Sequence, residues 1–370
     1  MKSVGQIARE SDLAGSGFDI AGEALAEQRA LSSKSHFEVL DGLRGVAAIA
    51  VMLFHSYRAE GLFHNAWSAV DLFFLLSGFV IAYSSDEQLQ HGAPVSQFML
   101  RRLIRLYPMI VLGTLVGVAG AIANYKMSAS YSYSPWQIVI YGCLTPLLLF
   151  FEFNPPFWSI FSELVVNTFY ALFAKRLATP VLALIVLVGL AVVALGGPFA
   201  WDENRNFFLF LWLGLARAAT GFFGGVLLYK LWKGGRLPRL SGNFVVLSAV
   251  LMAVFTFPQE ISGWLFPPAF MVMAGIIVFG VGARPNRLDK YCALLGQISY
   301  PLYALHWPSF HFFGALAGSL GLTAHHYDLV VMAHCLGILV VAYFAMRFYE
   351  TPMRLYLTRK YVRREDAGLR

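Results

Sequence analysis

Eleven apolar blocks recur along this chain, near residues 45–60, 66–83, 106–125, 136–151, 157–174, 180–199, 207–232, 243–257, 264–282, 292–320 and 329–349. No polar stretch between them is long enough to fold separately. A bilayer core about 30 Å thick takes about 20 apolar helical residues to cross, and several blocks approach that length. Only 13% of the residues are charged, against roughly 25% in soluble domains. The solvent for most of the chain is lipid, and the expected fold is all-α: a polytopic membrane protein with a single membrane domain.

Basic residues orient the blocks, because cytoplasmic loops concentrate Lys and Arg. Arg101/Arg102/Arg105, Lys175/Arg176, Lys233/Arg236/Arg239, Arg284/Arg287/Lys290 and the run from Arg354 to Arg370 form five basic connections. With the N-terminus also inside, eleven crossings would put the two ends on opposite faces. The parity is restored if the 136–151 block does not cross. That block is short, contains Pro146 and runs into Glu152 and Pro155/Pro156, which suits a re-entrant or interfacial segment. About ten transmembrane helices remain, with both termini cytoplasmic.

The expected organisation is a polar cytoplasmic tail over 1–39, a membrane domain over 40–357 and a basic cytoplasmic tail over 358–370. The first tail is too polar for a signal-peptide core, and residues Ile20 to Leu31 have the makings of a short helix. The net charge of +7 lies in loops that read as topology signals, so nucleic acid is not expected as a partner. Cys143, Cys292 and Cys335 show no metal spacing, and buried free thiols are expected. No metal is expected.

Several ionisable residues fall inside the blocks. Arg44 and His55 are eleven apart; at 100° per residue this is 20° beyond three turns, so both share one helical face, separated by about 16 Å of rise. A lone helical histidine also serves as a satisfied core residue, but an intramembrane ionisable group is a functional hypothesis by default. Asp71 lies in the second block and must be paired or protonated; it either orients His55 or an arginine, or takes part in the chemistry. Arg102 and Arg105, three apart, project from one side of a helix, as an anchor or as a fork for phosphate oxygens. Glu163 sits about a turn and a half inside another block, and Arg217 is one available partner. His306 lies in an aromatic, Pro-flanked helix where packing accounts for it, with a direct substrate role as the alternative.

Six segments then stand in a recognisable order: LDGLRGVAAIAVMLFH at 40–55, AVDLFFLLSGFVIA at 69–82, RRLIRLYP at 101–108, FWSIFSE at 157–163, ISYPLYALHWP at 298–308 and YETP at 349–352. From about Leu40 to Leu357 the chain resembles the acyltransferase-3 family of multi-pass membrane O-acyltransferases. The resemblance implies ten spans with cytoplasmic ends, in the plasma (inner) membrane, and O-acylation, commonly acetylation, of carbohydrates in envelope or exported glycans. The family's arginine, ten-residue, histidine motif falls on Arg44 and His55, and its RxxR motif on Arg102 and Arg105. Its tryptophan, serine and glutamate motif falls on Trp158, Ser159 and Glu163, with Phe161 and Ser162 in a variable part.

The expected mechanism places the phosphates of acyl-CoA, in particular acetyl-CoA, on Arg102, Arg105 and Arg44. His55 is then the general base for a carbohydrate or glycolipid hydroxyl, with Asp71 or Glu163 orienting its imidazole. Trp158, Ser159 and His306 are further substrate-binding candidates. The alternative is a transporter of a glycan or organic anion with a buried ionisable relay. Transporters often carry internal repeats, and neither the Arg44/His55 nor the RxxR pattern recurs in the second half.

Overall fold

A computed structural model describes residues 37–56, 63–127, 133–148, 151–196, 207–238, 240–283, 287–322 and 327–362. Most of the N-terminal tail, including the helix expected over Ile20 to Leu31, and residues 363–370 lie outside the described residues. Among those described there are twelve α-helices and no strand: α1 (Glu38–Ser56), α2 (Ala69–Gln90), α3 (Val95–Met127), α4 (Pro135–Leu144), α5 (Phe157–Phe173), α6 (Thr179–Leu195), α7 (Phe207–Lys233), α8 (Phe244–Phe255), α9 (Phe266–Val281), α10 (Asp289–Ser319), α11 (Tyr327–Ala345) and α12 (Thr351–Leu357).

Seven segments are long and apolar enough to cross a membrane: Glu38–Ser56, Ala66–Gln90, Val95–Ala123, Phe157–Arg176, Phe210–Lys233, Gly263–Val281 and Asp328–Val362. By length and composition this is fewer than the ten expected from sequence. Helices α6 and α8 are apolar but shorter, and α10 runs for 31 residues with Pro301 and Pro308 inside it. Large apolar side chains such as Leu184, Leu187, Trp212, Met271, Val340 and Phe348 are exposed, which only a lipid surround makes tolerable.

The block at 136–151 folds as the short helix α4. Ser134 and Gln137 form a reciprocal capping box, Pro135 occupies the first turn, and a 3-10 turn at Thr145–Leu147 ends in left-handed Leu148. Ten residues rise about 15 Å, half the thickness of a bilayer core. Cys143 on this helix is exposed, while Cys292 and Cys335 are buried; all three are free thiols. The expectation of buried thiols therefore fails for Cys143, because so short a helix covers little of its own surface.

Side-chain partners fix relative helix directions. Arg44 meets Gly296 and Ser299 while His55 meets His306, so α1 and α10 run the same way. Tyr300 donates to the Leu106 carbonyl and Gly113 lies against Ala304, which makes α3 parallel to α10. Arg102 pairs with Glu163 and Met99 accepts from Thr168, so α5 opposes α3. Ser77 and Asp86 on α2 meet Glu163 and Tyr170 on α5, and Asp71 and Asp86 meet Arg217 and Lys230 on α7; α2, α5 and α7 are parallel.

Two close crossings hold this arrangement. A Cβ at Gly45 would lie 2.7 Å from the Leu295 backbone, and one at Gly296 would lie 2.5 Å from Asp41 Cβ. Small residues let helix backbones approach in a membrane, where no hydrophobic force brings helices together, and α1 and α10 are packed along their length. Between α2 and α7, a Cβ at Gly78 would collide with the Phe222 carbonyl, and one at Gly225 with that of Leu75.

Candidate functional site

Helix α1 carries Arg44 near one end and His55 in its last turn. Both lie in one continuous helix, as the 20° offset requires. At the Arg44 end, Nε donates to Ser299 Oγ at 2.9 Å and Nη2 to the Gly296 carbonyl at 2.7 Å, while Asp41 pairs at 3.0 Å. Arg105, Glu163 and Arg354 are its other charged neighbours.

Helix α3 begins at Val95, so Arg102 and Arg105 stand two turns or more inside it. Arg102 Nη2 donates to Glu163 Oε1 at 2.6 Å, and Ser77 Oγ donates to the same oxygen at 2.6 Å. Arg102 Nε is buried without a hydrogen-bond partner among the described residues. Arg44, Arg102 and Arg105 thus gather near Glu163, and Arg354, paired with Glu350, is a further charged neighbour of Arg44. This cluster can accept a polyanion, because planar guanidiniums offer several N–H donors each. Glu163 does not pair with Arg217, the partner the sequence left open for it.

Arg217 belongs to Asp71. Its Nε and Nη2 donate to Oδ1 and Oδ2 at 3.1 and 2.6 Å, and both side chains are 1% exposed. The guanidinium lies 4.5 Å from the Trp67 ring and 5.8 Å from the Trp158 ring. With Asp71 and Glu163 both held by arginines, neither orients His55, contrary to the expectation from sequence. Coulomb attraction in a dry interior favours the nearest cation over a neutral ring, and the helix neighbours supply one to each carboxylate.

The side-chain partner of His55 is His306, beside a backbone hydrogen bond with Val51. His55 Nδ1 and His306 Nε2 are 3.1 Å apart, and Trp307 stands edge-on at 4.9 Å between ring centroids. His306 is 2% exposed, and its Nδ1 lies 2.7 Å from the Tyr303 carbonyl. Pro308 lacks the N–H that would bond the Ala304 carbonyl, and Asn154 Nδ2 donates to that carbonyl at 2.8 Å instead. This satisfies the freed carbonyl two residues before His306. Below it, Tyr303 OH and Ser159 Oγ are 2.7 Å apart, and both are bonded to the Pro156 carbonyl. Trp158 and Ser159 are buried, Trp158 against Arg217 and Ser159 against Tyr303.

A family model for an acyltransferase domain matches residues 37–347. The chain belongs to the acyltransferase-3 family. Among curated proteins it is 34% identical over 181 residues to "Protein 2 in picA locus" of Rhizobium radiobacter, covering 44% of this chain and 94% of that protein. It is 23% identical to "O-acetyltransferase OatA" of Staphylococcus aureus, over 85% of this chain and 57% of the relative. The "Peptidoglycan O-acetyltransferase OatA" of Listeria monocytogenes is 24% identical, over 87% and 56%. The chain thus spans a little over half the length of the OatA proteins. No solved structure matches it significantly.

Two features of this family member were not found from its sequence. Arg354 joins the arginine cluster from beyond a one-turn π-helical segment at Met346–Glu350, where Pro352 interrupts the α-helical ladder. Wide turns of this kind often mark functional places, and the YETP segment was the available signal. The His55–His306 contact had no signal, since it depends on which two helices adjoin. Among the described residues no three His, Cys, Asp or Glu side chains gather as a metal site.

Proposed function

We propose that this protein is an acyl-CoA-dependent O-acyltransferase, most simply an O-acetyltransferase, acting on a carbohydrate hydroxyl. The observation that carries the reading is the spacing along α1: an arginine cluster at one end and an imidazole pair about 16 Å of rise away on the same face. A CoA thioester has that form, with phosphates at one end of a long, nearly neutral arm and the reactive carbon at the other. The buried, unpartnered Arg102 Nε is a donor such a phosphate would satisfy. The names of the OatA relatives support an acetyl group and a glycan acceptor.

In this reading His55 Nε2 takes the proton of the acceptor hydroxyl as its oxygen attacks the thioester carbonyl. The C–S bond then breaks, and the thiolate leaves as a thiol with the proton returned by His55. The donor enters from the cytoplasmic side, where Arg44, Arg102 and Arg105 hold it.

The helix directions support ten crossings. Because α5 opposes α3, α4 does not cross between them, and because α7 is parallel to α5, α6 does. With α7 opposing α10, α8 and α9 cross as a pair. Adding α10 and α11 gives ten spans in the plasma (inner) membrane, both termini cytoplasmic. Single cysteines in the Lys233 to Arg239 connection and after Leu357 should react with a membrane-impermeant maleimide only in opened cells. Labelling of either one in intact cells would refute this topology.

The function is tested with reconstituted protein, labelled acetyl-CoA and candidate glycans. Transfer of label to carbohydrate is expected, and Arg102→Ala should weaken donor use about 10–100-fold, the worth of one charge-assisted phosphate contact. Arg102→Lys should recover little, because the fork is lost. Unimpeded donor binding by the alanine variant would make Arg102 a topology anchor. Glycan movement across the vesicle without acylation would replace the enzyme by the transporter.

A further inference from the structure

The proton inventory of the two histidines settles more than their proximity. His306 Nδ1 lies 2.7 Å from the Tyr303 carbonyl and 3.2 Å from that of Leu302. A carbonyl only accepts, so Nδ1 carries the proton. In the neutral ring the other nitrogen, Nε2, is then a bare acceptor. His55 Nδ1 stands 3.1 Å from it and is the donor in that contact; the Val51 backbone one turn back is the other hydrogen-bond partner of the His55 ring. The proton of neutral His55 is thereby on Nδ1, and its lone pair is on Nε2.

We propose that His306 is a positioning residue for the acyl transfer: as a buried, neutral acceptor it fixes His55 in the Nδ1–H tautomer and presents Nε2 as the basic nitrogen. This rests on the reading of His55 as the general base. It assigns to an imidazole the orienting task that a carboxylate often performs beside a catalytic histidine. Asp71 and Glu163 cannot do it, each being held by an arginine. When His55 gains the acceptor's proton, its Nδ1–H stays bonded to His306 Nε2, so the new imidazolium keeps a partner without any side chain moving. The 2% exposure of His306 keeps water from competing for that acceptor.

The test joins the tautomer to the rate. Histidine-15N-labelled protein is prepared in bilayers as wild type, His306→Gln, His306→Phe and His55→Asn, the last to identify the His55 resonances. Wild-type His55 should show a pyrrole-type Nδ1 and a pyridine-type Nε2. Gln, whose amide oxygen can accept, should keep that tautomer and most of the transfer rate. Phe keeps a ring but no acceptor; it should lose the tautomer and slow transfer about 10–100-fold, the usual cost of removing an orienting partner, with acetyl-CoA binding unchanged. A wild-type His55 protonated on Nε2 would overturn the proposal without needing any variant. So would a Phe variant with unchanged tautomer or wild-type rate, which would make His306 a packing residue. Failure of the base reading shows elsewhere, as wild-type rate in His55→Asn, and leaves the tautomer result intact.

Discussion

Replacing His55 by alanine is expected to reduce acyl transfer about 10²–10⁴-fold, the range associated with a positioned general base, while acyl-CoA still binds. Three observations converge on this side chain: its place at the far end of α1 from Arg44, its 3.1 Å contact with a buried histidine, and the family motif that falls on it. The arginines that would hold the donor lie three turns away and do not touch the ring, so binding and chemistry should separate. Asparagine should not restore the rate, because an amide cannot take a proton near neutral pH. The measurement is donor affinity and single-turnover rate on the same purified variant. Loss of both together would mean a misfolded protein or a donor-site role. A correctly inserted alanine variant that acylates at the wild-type rate would remove His55 from the mechanism and turn attention to His306.

What was legible in the sequence is what helical periodicity and membrane thickness dictate. The shared face of Arg44 and His55 follows from 3.6 residues per turn and holds in α1. The expectation that the 136–151 block forms only a short segment follows from its length and prolines, and α4 is ten residues, about 15 Å long. The pairings were not legible, because they depend on which helices adjoin. Asp71, Glu163 and Arg217 were each identified as needing a partner, but hydropathy says nothing about the α2–α7 crossing that gives Asp71 to Arg217. Gly78 and Gly225 set that crossing, as Gly45 and Gly296 set the one that brings His306 to His55. A glycine in a sequence announces a close approach without naming what approaches.

The Asp71–Arg217 pair offers the largest effect on stability. Both groups are 1% exposed, and the pair is bidentate, with the guanidinium also against Trp67. Replacing Arg217 by methionine alone should destabilise the folded protein by about 3–5 kcal/mol, since it leaves a buried carboxylate without its cation. Replacing both, as Asp71→Leu with Arg217→Met, should recover most of that loss. The penalty comes from an unpaired charge, and a matched apolar pair of similar volume carries none; methionine also keeps a sulfur against the tryptophan rings. Thermal unfolding in detergent, run as a double-mutant cycle, gives the comparison. Equal destabilisation in the single and the double variant would mean that packing rather than charge holds the site. The activity of the double variant separates the two roles left open for Asp71. If the pair only fixes α2 against α7, and through it the place of Trp158 beside Arg217, the recovered fold should acylate at near the wild-type rate. A double variant that is stable yet inactive would return Asp71 to the chemistry.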